Sequence, residues 1–64
     1  MEKEIKEYLQ RMWNMVVRAE GHEEREQRRI EAFCSCALMA NALTGKQFDV
    51  NSDDVVYIVG EEEV

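Results

Sequence analysis

The feature that most constrains this chain is a segment with apolar side chains on every side, in a protein that is short for burying it. Residues 30–43, IEAFCSCALMANAL, contain no proline or glycine and are rich in Ala, Leu and Met, so they predict a helix. A helix that is apolar all round is typically buried all round. A chain of 64 residues buries only about 60% of its unfolded surface. We therefore expect a second copy of the chain to cover what one copy cannot.

An amphipathic helix is predicted over residues 2–20. Ile5, Leu9, Met12 and Val16 recur at the i, i+3, i+4 spacing that places side chains on one face of a helix. Further apolar residues widen this face beyond the arc that one packed surface needs. The first helix therefore also carries more apolar surface than a single neighbour covers.

Gly21 follows this helix and leaves two alternatives open. In the first, Gly21 ends the first helix and a second helix runs from about residue 22 to 44, which gives a helical hairpin. In the second, one helix spans residues 2–44, because the apolar spacing stays in register across the polar residues 20–29. A basic residue before the glycine, Arg18, and two glutamates after it favour the hairpin.

Beyond Gly45 the pattern changes from helix to strand. Residues 46–50 alternate between polar and apolar, residues 51–54 (NSDD) are typical of a turn, and residues 55–59 (VVYIV) are β-branched and aromatic. They predict a β-hairpin. Its second strand is apolar on both faces, which is typical of a central or covered strand.

Together these elements predict an α+β fold in a single domain, residues 1–64, with residues 61–64 as an acidic tail. A helical hairpin is followed by a β-hairpin, and two copies form a homodimer through the second helix. The expected dimer interface combines small and bulky side chains of that helix: Ile30, Phe33, Cys34, Ala37, Leu38, Met39 and Ala40. The alternative is a compact monomer with a few exposed apolar residues, which is common on protein surfaces.

The sequence gives no pattern for catalysis or metal binding. Cys34 and Cys36 are two residues apart in a helix, so their sulfurs diverge, and we expect two buried free thiols. A disulfide between two copies stays open if the second helices meet at a dimer axis. His22 lies beside the predicted turn and no nucleophile can be assigned to it. We therefore expect no enzyme, no metal and no cofactor.

The charge of the chain is concentrated in its last part. The formal net charge is −6, and residues 32–64 carry six acidic residues against Lys46 alone. Such a run is usually a solvated tail. The functional alternative is an array of carboxylates that binds a basic surface of a partner protein, as a small acidic protein does when it imitates phosphate charge. The candidate residues are Asp49, Asp53, Asp54, Glu61, Glu62 and Glu63.

A single basic cluster supports an alternative function. Arg25, Arg28 and Arg29 lie on the predicted second helix and could contact the phosphates of nucleic acid in a dimeric regulator. Glutamates interleave with them and the whole chain is acidic, which argues against this class. A third alternative is a structural subunit of a larger assembly.

The sequence therefore predicts a small, acidic, non-catalytic module for protein–protein interaction, of the modulator or inhibitor type, that acts as a homodimer. Its charged start, MEKEIK, has no secretory apolar region, and its longest apolar run is too short to cross a bilayer. We expect a cytoplasmic protein without a membrane partner. Small acidic chains without proline are typical of regulators encoded by viruses or plasmids.

Overall fold

The computed structural model describes residues 1–61 and contains two helices followed by two strands. They are α1 (Glu2–Arg18), α2 (Glu23–Thr44), β1 (Phe48–Val50) and β2 (Val56–Ile58). The strands form one antiparallel two-stranded sheet, so the predicted helical hairpin followed by a β-hairpin is confirmed. In the described part of the chain, no helix is long and apolar enough to cross a membrane.

The chain reverses direction between α1 and α2, which excludes the single long helix. The last turn of α1 tightens into hydrogen bonds between residues three apart: the backbone N–H of Ala19 donates to Val16 and that of His22 donates to Ala19. Gly21 follows with φ of +92°, a conformation that residues with a Cβ rarely adopt. The glycine therefore ends the first helix and permits the turn.

The core lies between the two helices and one face of the β-hairpin. Trp13 packs edge-on against Phe33, with 5.1 Å between the ring centroids. Because β2 contacts α1 and β1 contacts α2, the sheet covers the pair of helices from one side. The buried residues of the cluster are apolar: Leu9, Val16, Phe33, Ala37, Ala40, Phe48, Val56 and Ile58.

The loop of the β-hairpin is held by one side chain. The Asn51 Oδ1 accepts hydrogen bonds from the backbone N–H groups of Asp53 (2.8 Å) and Val55 (3.1 Å). Asp54 completes the loop with φ of +63°, in the left-handed region. Because the backbone N–H of Asn51 donates to the carbonyl of Val55 at 3.0 Å, the pairing leaves residues 52–54 as the loop. A turn followed by one left-handed residue is a common arrangement in such three-residue loops.

Hydrogen bonds from both helices fix the β-hairpin in place. The Gln10 Nε2 donates to the backbone carbonyl of Asp54 at 2.9 Å, and the Gln10 Oε1 accepts from the backbone N–H of Val56 at 2.7 Å. On the other helix, the Asn41 Oδ1 accepts from the backbone N–H of Phe48 at 2.9 Å. Each strand is therefore bound to the helix against which it packs.

Two expectations about burial do not hold within one copy. The helix α2 is buried along one side only, and Leu38, Met39 and Leu43 are exposed. The strand β2 pairs with β1 alone, and the residues that flank it, Val55 and Val59, are exposed. Both differences have the same cause, because two helices and one hairpin make only two layers.

Candidate interaction surfaces

The pair of helices has one face that the β-hairpin does not cover. Gln10 on α1 and Asn41 on α2 point toward the hairpin, as their hydrogen bonds show. Residues two positions apart in a helix point about 200° apart, so Tyr8 and Met39 point the opposite way. Both are exposed, Tyr8 to 56% and Met39 to 65%. The helices therefore present an apolar surface opposite the sheet.

We call this surface the helical face. Its members are apolar or small side chains at alternating spacings of four and three residues, so that each helix contributes one continuous stripe. From α1 and its N-cap the stripe is Met1, Ile5, Tyr8, Met12 and Met15; from α2 it is Ala32, Cys36, Met39 and Leu43.

Two grooves run along the helical face, between the stripes. The larger, of about 310 Å³, lies between the first half of α1 and the last half of α2 and is lined mostly by apolar side chains. The smaller, of about 190 Å³, is lined by Met12, Met15, Arg29 and Ala32. A surface with recesses between protruding side chains is suited to packing against another helical surface.

Each groove has one charged residue in its lining. Glu4 borders the larger groove and pairs with the N-terminal ammonium at 3.1 Å, and that hydrogen bond lowers the pKa of the Glu4 carboxyl. Arg29 borders the smaller groove, and its Nη1 donates to the backbone carbonyl of Met15 at 2.6 Å. Apart from the N-terminal ammonium that pairs with Glu4, the grooves therefore carry one charged side chain of each sign.

The residues that the sequence predicts for a dimer interface do not share one surface in the structure. Phe33, Ala37 and Ala40 are buried in the core of the single chain, and Ile30 packs against that core. Cys34 and Leu38 are exposed on another side of α2, and only Met39 belongs to the helical face. The sequence assigns the interface to α2 alone. The regular spacing of Tyr8, Met12 and Met15 indicates an apolar stripe on α1, but it does not indicate whether the core or solvent meets that stripe.

The acidic residues near the end of the chain do not form one array in the described residues. Asp49 and Asp53 are exposed. Among residues 1–61, the Asp49 Oδ1 accepts a hydrogen bond only from the backbone N–H of the next residue, Val50, at 2.8 Å. The Asp54 Oδ1 accepts one from the Nε1 of Trp13 on α1, at 2.9 Å. Glu61 pairs with Lys46, and residues 62–64, with the predicted Glu62 and Glu63, lie outside the described residues. The exposed aspartates Asp49 and Asp53 are therefore the best candidates for a partner.

Lys46, which follows α2, connects the end of that helix to the start of α1 and to the segment after β2. Its Nζ pairs with Glu61, just after β2, and lies 3.8 Å from the Oε2 of Glu2, at the start of α1. The hydrogen bond with Glu61, and then the charges of Glu2 and Glu61, raise the pKa of Lys46. Because Lys46 is engaged with these two carboxylates, it does not neutralise Asp49 or Asp53.

Two of the three arginines of the alternative site lie beside glutamates, and the third binds the backbone of α1. The Arg28 Nη2 lies 4.0 Å from the Oε1 of Glu24, and Arg29 is bound to the backbone of α1. Arg25 is exposed and shares a shallow groove with Arg28 and with Glu23 and Glu24. Phosphates would meet carboxylates in this groove as well as guanidinium groups.

The cysteines differ from the prediction of two buried thiols. Both are free, but Cys34 is exposed and only Cys36 is partly covered. The prediction is therefore wrong for Cys34, because the side of α2 that carries it lies outside the core. Within residues 1–61, no group of three or more His, Cys, Asp or Glu side chains is placed to hold a metal ion.

Comparison with models of protein families, with curated proteins and with solved structures finds no match to this chain. A function for this chain is therefore inferred from the chemistry of its surfaces.

Proposed function

We propose that this chain is a small acidic, non-catalytic interaction module of the modulator or inhibitor type, which acts as a homodimer and binds a partner protein with a basic surface. One observation carries the proposal: the helical face and the two aspartates without an ion pair lie on different layers of the fold. The helical face is on the helical layer, whereas Asp49 and Asp53 are on the β-hairpin. A chain arranged in this way can associate through one layer and bind a partner through the other.

The exposed aspartates support binding to a basic partner. Asp49 lies on β1 opposite Tyr57, on the side of the sheet away from the core, and Asp53 lies in the loop. Within the described residues, neither forms an ion pair with a basic side chain. Unpaired carboxylates on an acidic chain attract a basic protein over about one Debye length and raise its association rate.

The partner can be tested with charge variants of equal net change. Immobilised protein is exposed to a lysate of the native host at low salt, and bound proteins are identified and quantified by mass spectrometry. We compare the wild type with D49N/D53N and with the control E7Q/E23Q, which removes two exposed glutamates from the helices. We expect D49N/D53N alone to lose the same bound protein several-fold, and salt to weaken its binding to the wild type. Equal retention by all three proteins at every salt concentration would contradict the proposal.

Nucleic-acid binding through Arg25, Arg28 and Arg29 remains the alternative. It has less support, because Glu24 pairs with Arg28 and the backbone of α1 occupies Arg29. A gel-shift assay with duplex DNA at low salt separates the two functions. A shift that R25A/R28A abolishes would favour the alternative, whereas the acidic module leaves the DNA free.

A further inference from the structure

We propose that a second copy of this chain covers the helical face, so that two helical hairpins stack face to face with their β-hairpins on the outside. The inference rests on the homodimer part of the proposed function and names the surface that forms the dimer. It does not depend on the acidic residues or on any other partner.

The spacing of the helical face fits helices as its occupants. Steps of four and three residues alternate along Met1, Ile5, Tyr8, Met12 and Met15, and along Ala32, Cys36, Met39 and Leu43. The average step is about 3.5 residues on α1 and about 3.7 residues on α2. Both are close to the repeat of about 3.5 residues that keeps a side-chain stripe directed toward a neighbouring helix. Because both helices carry such a stripe, the face matches a surface with two stripes of its own. Another copy of the helical hairpin has this surface, and the product is a four-helix bundle.

The shape of the helical face is also complementary to a second copy of the same face. Tyr8, Met39 and Leu43 protrude beside the groove of about 310 Å³, whereas Ala32 and Cys36 are small. In an interface with two-fold symmetry, each copy supplies both the protruding side chains and the recess that receives them. The flexible methionines can adapt to the shape of the opposing surface.

The distribution of charge favours a dimer contact through the helical face over one through the β-hairpin. At a net charge of −6, two copies repel each other, but residues 1–31 carry eight acidic against seven basic residues. The charged side chains in the linings of the two grooves are Glu4 and Arg29, which are of opposite sign, and Glu4 pairs with the N-terminal ammonium of Met1. The unpaired aspartates Asp49 and Asp53 lie on the other layer, so a dimer through the helical face keeps them apart.

The area of the helical face is close to the lower end of the range for specific interfaces. A helix of 17 residues such as α1 is about 25 Å long, and two packed helices are about 20 Å wide, which gives a flat projection of about 500 Å². The corrugated side-chain surface is larger than its projection. It approaches the roughly 600 Å² per partner of the smaller specific interfaces.

Three exposed residues of α2 provide a matched test. Met39 and Leu43 belong to the helical face and are 65% and 72% exposed, whereas Leu38 lies outside it and is 69% exposed. We expect M39E and L43E to raise the dimer dissociation constant about 100-fold, because each buries a carboxylate in an apolar contact. L38E should leave the constant within about threefold of the wild type. Analytical ultracentrifugation measures the constant, and far-ultraviolet circular dichroism verifies that each variant keeps its helices.

The two native cysteines allow a second test, which introduces no charge into the helical face. The C34S variant keeps Cys36, which lines the larger groove, and the C36S variant keeps Cys34, which is exposed elsewhere on α2. As the protein concentration rises through the dissociation constant, the rate of thiol alkylation should fall at least several-fold for Cys36 and stay constant for Cys34.

Several results would overturn the inference. A wild type that stays at its monomer mass of 7.5 kDa at millimolar concentration would overturn both the inference and the homodimer part of the proposed function. A dimer that L38E disrupts as strongly as M39E would overturn the inference alone, because the interface would then lie elsewhere. Larger assemblies that persist in M39E and L43E would overturn it in favour of a structural subunit. Failure of Asp49 and Asp53 to bind a basic partner would overturn only that part of the proposed function.

Discussion

Asp54 combines an unfavourable backbone conformation with a hydrogen bond to the first helix. Its φ of +63° lies in the left-handed region, where a Cβ crowds the backbone. Its carboxylate accepts the hydrogen bond of the Trp13 indole, which itself packs against Phe33 in the core. The sequence assigns Asp54 to an acidic surface, but in the fold it connects the hairpin loop to α1.

Two substitutions of Asp54 separate the hydrogen bond from the charge. D54N keeps an acceptor oxygen and tolerates the left-handed backbone, so we expect its free energy of unfolding to stay within about 0.5 kcal/mol of the wild type. D54A loses the acceptor while retaining the backbone requirement, so we expect it to be less stable by about 2 kcal/mol. Urea unfolding, followed by the fluorescence of Trp13, measures both values. If D54A were as stable as D54N, the hydrogen bond would contribute little.

At the scale of the elements, Gln10 is the main polar contact between α1 and the β-hairpin. Its amide donates to the loop and accepts from the backbone of β2, so one side chain satisfies two backbone groups 44 and 46 residues away. The Val56 residue that donates to it is only 1% exposed. Without Gln10, the N–H of Val56 has no acceptor there and little access to water.

We expect Q10A to destabilise the protein by about 1–3 kcal/mol, because it leaves a buried backbone donor without a partner. Amide hydrogen exchange at Val56 should accelerate correspondingly. Q27A is the matched control: Gln27 donates to Glu31 one turn away on an exposed surface, and its loss should cost under about 0.5 kcal/mol. If Q10A and Q27A lowered the free energy of unfolding equally, the hydrogen bonds of Gln10 to the hairpin would contribute no more than an exposed hydrogen bond within a helix.

The ends of the elements were predictable from sequence, because they depend on local backbone preferences. Gly21 and Gly45 both have positive φ where a helix ends, as their position in the sequence predicts. The predicted strands, residues 46–50 and 55–59, are longer than β1 and β2 by a few terminal residues. Hydrogen bonds such as that from Val59 to Gln47 continue the pairing just outside the assigned strands. Such differences of one or two residues are expected at element ends.

The helical face was not predictable, because two stripes of α2 have equivalent spacing. Phe33, Ala37 and Ala40 recur at helical intervals, and so do Cys36, Met39 and Leu43. Which stripe the chain buries depends on where the β-hairpin docks. That position is fixed by the apolar core and by the hydrogen bonds of Gln10 and Asn41, through contacts that span up to 46 residues of sequence. Periodicity reports that a face is apolar, but it does not report what covers it.

At the scale of the whole molecule, folding and association are expected to depend on each other. The core of a single copy includes two alanines, Ala37 and Ala40, among its few buried residues, whereas larger side chains such as Met39 and Leu43 remain exposed. A dimer through the helical face would bury these larger side chains as well. The chain would therefore gain part of its stability from its second copy, as small domains often do.

This dependence predicts that the melting temperature rises with protein concentration. For a folded dimer that unfolds to two chains, a tenfold increase in concentration stabilises the dimer by about 1.4 kcal/mol, or about 0.7 kcal/mol per chain. In a domain of this size, the melting temperature should rise by about 3–5 °C for each tenfold increase. Scanning calorimetry at several concentrations measures the slope. The wild type and L38E should share it. At concentrations below its raised dissociation constant, M39E should melt at a temperature independent of concentration, because a monomer unfolds without dissociation. A wild-type melting temperature that stays constant over the range where a dimer is populated would show that the helical face adds nothing to the stability of the fold.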